Sequence, residues 1–124
     1  MEISAKKVER VHISASWALD MAQHYHKEGK VELMNQRVQK AQRVIEDTPF
    51  TLKWDDHHPV PYIVGDVITA RQFIEEACAL HDEGKDSLSI GRATLAASYL
   101  LQGTPYELQW GTRERVPPIV ERRT

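Results

Sequence analysis

The pentapeptide His26-Lys27-Glu28-Gly29-Lys30 returns later in this chain as His81-Asp82-Glu83-Gly84-Lys85, and its surroundings return with it. Residues 13–47 match residues 68–102 at an offset of 55, with identities at Ile13, Ala15, Ala22, His26, Glu28, Gly29, Lys30, Leu33, Arg37 and Ala41. After one extra residue, Gly103, residues 48–64 match residues 104–120 at an offset of 56. Identities there fall at Thr48, Pro49, Leu52, Trp54, Val60, Pro61, Ile63 and Val64. Eighteen of 52 aligned positions are therefore identical, where ordinary residue usage gives about three by chance. The pattern predicts an internally duplicated module, so one domain over residues 1–124 built from two repeats, about 8–64 and 63–120, with a short basic tail.

Each repeat reads as a helix hairpin. Ser14 is a good N-cap, and Trp17, Met21 and Tyr25 recur every four residues, which predicts a helix from about Ser14 to Glu28 with those three on its apolar face. Val8, Val11 and Ile13 before it can form a short strand or extend that helix back from Ser4; the strand is favoured, because the matching segment Ile63-Val64-Gly65-Asp66-Val67 contains a glycine that suits a helix poorly. Gly29 ends the helix, since glycine enters the left-handed conformation without steric cost. Met34, Val38, Ala41 and Ile45 then mark a second helix over about 31–46. In the other copy, Thr69 is the expected N-cap, with Phe73, Ile74, Ala77, Cys78 and Leu80 as the apolar face. The fourth helix, about Ser87 to Leu101, is apolar nearly all round, which suits a central helix or an oligomer contact.

Thr48-Pro49 stops the second helix. Phe50, Leu52 and Trp54 then alternate with polar residues, as do Tyr106, Leu108 and Trp110, which is the period of a half-buried strand. These arms are too short to be stable alone. They are expected to pair across the pseudo-axis or to lie along the helices. The predicted fold is mainly α with short β arms, a pseudo-two-fold four-helix bundle.

Composition narrows the function. A net charge of −2 argues against a generic polyanion binder, which needs a basic excess. A lone cysteine, Cys78, allows no intrachain disulfide and fits a reducing, cytoplasmic setting. No apolar run approaches the length of a membrane span, and the N-terminus lacks the apolar core of a signal peptide.

Three groups of residues are candidates for chemistry. The doubled His-x-Glu-Gly-Lys can be a helix stop, or it can bring His26, Glu28, His81 and Glu83 together as a ligand site, with Arg37 and Arg92 as the expected cations for the two glutamates. Two His and two carboxylates suit zinc or iron. However, His and Glu two apart on a helix point in different directions, so no metal ligand is assigned. Asp55-Asp56-His57-His58 reads as a polar loop, because the other copy has Gly111, Thr112, Arg113 and Glu114 there. Trp54 and Trp110 either cover the ends of the core or are exposed binding anchors. With Arg113, Arg115, Arg122 and Arg123 nearby, the second arm has some character of a nucleic-acid contact.

No Gly-x-Ser-x-Gly, phosphate-binding glycine loop, Cys-x-x-Cys or His-Glu-x-x-His occurs, so the easy routes to catalysis are missing. The chain reads as a small interaction protein that binds a protein partner or itself, a homo-oligomer, without a cofactor. Trp54, Leu101, Tyr106, Trp110, Arg113 and Arg115 are its expected contact residues. A metal- or small-ligand-binding protein or enzyme on the pseudo-axis, and a nucleic-acid binder using the C-terminal arm, are the alternatives.

Overall fold

The computed structural model describes residues 3–111 and 115–122. The chain is mainly helical with two small antiparallel sheets. Its order is α1 (Ala5–Lys27), α2 (Val31–Val44), β1 (Thr51–Asp55), β2 (His58–Val64), α3 (Val67–Asp82), α4 (Ser87–Leu100), β3 (Tyr106–Leu108) and β4 (Ile119–Glu121).

The strand expected over Val8–Ile13 is instead part of α1. Ser4 caps that helix by accepting from the Lys7 backbone N–H at 3.1 Å. Val8, Val11, Ala15, Ala18 and Ala22 recur at alternating spacings of three and four and are all buried. That helical period outweighs the local β preference of the valines. The core face is therefore the alanine stripe. Trp17, expected on the core face, is 55% exposed. Met21 and Tyr25 are half-buried.

Alanines also recur on the buried faces of α3 and α4. Ala70 and Ala77 of α3, and Ala93, Ala96 and Ala97 of α4, are all buried. Small side chains let helix backbones approach closely. The helices pack in the order α2–α1–α4–α3. The two hairpins meet through α1 and α4, with no contact of like extent between α2 and α3. Asp66, not Thr69, caps α3, accepting from the Ile68 N–H at 3.2 Å and from the Thr69 hydroxyl at 2.6 Å. Cys78 is exposed, not on the buried face.

Each pair of strands closes locally instead of pairing across an axis. Asp56 and His57 form the turn between β1 and β2, and the Asp55 carboxylate accepts from the His57 N–H at 3.0 Å. The Asp-Asp-His-His run is therefore a hairpin turn. The ladder shifts register between Lys53 and Asp55, opposite Pro59 and Pro61, which have no N–H to donate. β2 packs against α1, with Val60, Pro61 and Ile63 buried.

The two ribbons share a register. Leu52 pairs with Ile63 and Thr51 with Val64, while Leu108 pairs with Ile119 and Glu107 with Val120. Every one of these correspondences is at an offset of 56. The helix ends follow the same offset. Thr48 Oγ donates to the Ile45 carbonyl and Thr104 Oγ to the Leu101 carbonyl, each at 2.6 Å. Asp47 (φ 58°) and Gly103 (φ 77°) both take the left-handed conformation just before those threonines. Residues 47 and 103 are also 56 apart. The two helix bends differ by one residue: Lys85 precedes the cap Asp86, whereas Lys30 is itself the cap of α2. Counted from the caps, Arg92 matches Gln36 rather than Arg37.

Candidate functional site

The doubled pentapeptide ends its helices by one backbone pattern. Gly29 donates to the His26 carbonyl at 3.1 Å and Lys30 to the Tyr25 carbonyl at 2.9 Å. Gly84 donates to His81 and Lys85 to Leu80, both at 3.0 Å. Gly29 and Gly84 have φ of 74° and 70°. These paired bonds satisfy the last carbonyls of α1 and α3 around a left-handed glycine.

The side chains of the two bends differ. Glu28 meets His24 at 2.6 Å and Lys30 at 2.9 Å. The Lys30 hydrogen bond, aided by His24, holds the Glu28 carboxyl below its ordinary value, and Glu28 raises Lys30 in return. Glu28 therefore contributes to stability above the ordinary carboxylate value, and the contribution fades as pH falls through its lowered one. The expected Glu28–Arg37 pairing does not form. The Arg37 guanidinium instead lies 5.1 Å over the Trp17 ring, a cation–π arrangement.

In the second bend, His81 approaches Asp82 at 3.7 Å, and Glu83 makes no ion pair among the described residues. Arg92 lines a hollow with Lys6, Glu9, Arg10, Ile13 and Ser14. His26 stands 5.5 Å from the His58 ring. Among the described residues no three His, Cys, Asp or Glu side chains converge to hold a metal ion. His26, Glu28, His81 and Glu83 therefore form no metal-holding group of three or more.

The expected contact residues divide sharply. Leu101 is 1% exposed and belongs to the core, so it presents nothing to a partner. Ala93 and Ala97 are buried with it. Tyr106 is half-buried, with the Arg71 guanidinium 5.9 Å from its ring. Arg113 lies outside the described residues. Trp54 is 53% and Trp110 67% exposed. Neither indole covers the core.

Arg122 is engaged within the chain. Its Nε donates to the carbonyls of Thr104 (3.0 Å) and Tyr106 (3.1 Å), and its Nη2 to that of Leu101 (3.4 Å). Those carbonyls follow the end of α4, where a cation complements the helix dipole. A guanidinium held this way is a structural clamp, which removes one cation from the expected nucleic-acid arm.

Trp110 and Arg115 do meet a partner surface, but within the chain's own fold. They form one wall of an open groove of about 650 Å³ whose other wall is α4, through Ser87, Ile90, Gly91, Thr94 and Leu95. Leu95 is 40% exposed. The Gly91 position has no heavy atom of the described residues within 4 Å of an added Cβ, so none of them requires glycine there. A mid-helix glycine costs about 1 kcal/mol relative to alanine. Sequence reading finds Trp110 and Arg115 but not the α4 wall, because nothing local shows that these two residues lie beside that helix. The exposed residues of α4 that the groove uses are distinct from the buried Ala93, Ala97 and Leu101.

Comparison with protein families, curated proteins and solved structures finds no match to this chain.

Proposed function

We propose that this chain is an interaction protein, built from two copies of one helix-hairpin-and-ribbon module, that binds a protein partner or itself through the groove between α4 and the Trp110 arm. The exposure of Trp110 above Leu95 and Ile90 carries the reading. Tryptophan and arginine are the residues most enriched where a few side chains dominate binding, and a contiguous apolar surface marks a contact in a protein that is otherwise well packed. The shared strand register and the matched threonine caps support the duplication and a pseudo-two-fold relation of the modules. A lone exposed cysteine fits a cytoplasmic setting.

The test is a paired substitution. Leu95→Ser with Trp110→Ser should reduce recovery of the partner from cells of origin about tenfold or more. Both side chains are exposed, so unfolding stability should move by only about 0.5 kcal/mol. Undiminished recovery with the fold intact would remove the groove from the contact.

A further inference from the structure

Two exposed helix stripes of this chain carry opposite charge. On α1, Arg10, Ile13 and Trp17 follow one another at helical spacing and all are exposed. Ile13 is 53% and Trp17 55% exposed. Neighbouring helices add cations to the same face. Arg92 of α4 shares a hollow with Lys6, Arg10 and Ile13, and Arg37 of α2 covers the Trp17 ring. Against these four cations stand two acids, the half-buried Glu9 in the hollow and Asp20 one turn past Trp17.

On α3 the stripe is acidic. Ile68, Glu75 and Asp82 recur every seven residues, with Gln72 and Ala79 between them, and all five are exposed. Ile68 is 70% exposed. Glu76 and Glu83 flank the stripe. The cation of this face, Arg71, is placed by the Tyr106 ring. Among the described residues, none of Arg10, Arg92, Glu75 and Glu76 forms an ion pair.

We infer that a second copy of this chain is one of its partners, and that the α1 stripe of one copy docks on the α3 stripe of another. The inference rests on reading the chain as an interaction protein, but it uses surfaces apart from the α4 groove. The α1 stripe has an apolar centre bordered by cations, and the α3 stripe offers Ile68 and Ala79 with acids between and beyond them, so the signs are complementary. Ile13 and Trp17 meet the apolar positions of α3, and the arginines of the first face meet the acids of the second. Closing water away from such pairs strengthens them, and the planar guanidinium matches a carboxylate with two parallel hydrogen bonds. The net charge of −2 is too small to hold copies apart.

Two variants of the whole chain test it: Arg10→Glu with Arg92→Glu, and Glu75→Arg with Asp82→Arg. Sedimentation velocity at low salt should show the unaltered chain as a dimer or longer assembly. Either variant alone should raise the dissociation constant about tenfold or more, because like charges then face each other. Mixing the two variants should restore association, since the reversed faces complement each other again. About 1 M salt, where the screening length is about 3 Å, should weaken the unaltered assembly without any substitution. A monomer at every concentration would overturn the inference. So would a mixture that stays monomeric, or binding of duplex DNA by the cationic stripe in place of self-association. Association abolished by Leu95→Ser with Trp110→Ser but untouched by the charge reversals would leave the groove reading standing and sink this one.

Discussion

Gly65→Ala should lower the melting temperature by about 10 °C or more, a loss of about 3 kcal/mol or more. A Cβ at residue 65 would lie 2.0 Å from the Leu100 carbonyl oxygen, 2.3 Å from its carbon and 2.6 Å from its Cα. All three are backbone atoms of the last turn of α4, so no side-chain rotation relieves the clash. Relief requires the β2–α3 connection to lift from α4. That breaks the 2.9 Å hydrogen bond from the Gly65 N–H to the Gln102 carbonyl and opens the cover over Leu100, which is fully buried. Calorimetry on the single variant is sufficient. A melting temperature within about 2 °C of the unaltered chain would show that the approach is slack.

Leu101→Glu should be at least as damaging, and through stability, not association. Leu101 is 1% exposed within the core cluster. A carboxylate there is desolvated without a partner, or it is protonated at a cost, and its unmatched polar atoms join the loss of apolar burial. The expected destabilisation is about 4 kcal/mol or more. That is a large share of the roughly 5–15 kcal/mol that holds a domain together. Leu95→Glu, on the exposed side of the same helix, should leave the urea midpoint nearly unchanged. Equal midpoints for the two variants would contradict the division of α4 into a core side and a groove side.

The parts of the fold that were legible in the sequence are those decided locally. Gly29 and Gly84 need the left-handed conformation within a single turn, so a glycine after an apolar period marks each bend unambiguously. Thr48-Pro49 stops α2 for equally local reasons. The strand expected over Val8–Ile13 fails because it borrowed Gly65 as a guide. That glycine answers to the Leu100 backbone, a long-range contact, and says nothing about the helix at the other end of the chain. Trp17 fails for a different reason. α1 carries two apolar stripes, and residue size favours Trp17-Met21-Tyr25, whereas close helix packing favours the alanines.

The candidate site was legible only in part. Trp110 and Arg115 are distinctive by residue type alone. Their pairing with Ile90 and Leu95 is a long-range placement against α4, which no periodicity encodes. The doubled His-x-Glu-Gly-Lys drew attention as chemistry because it is repeated, yet its backbone is fully occupied in ending two helices. The polar run Asp55–His58 did contain a usable signal. A two-residue turn between alternating segments is a hairpin, and that explains why β1 pairs with its own neighbour.

The most direct measurement of the central claim is photo-crosslinking from the groove. A photoreactive phenylalanine analogue in place of Trp110 is compared with the same residue in place of Lys53, which is exposed on β1. In cells of origin, position 110 should give a discrete adduct to a protein or to a second copy, absent from position 53 and lost on adding Leu95→Ser. A folded chain whose position 110 gives no more adduct than position 53 would contradict the account.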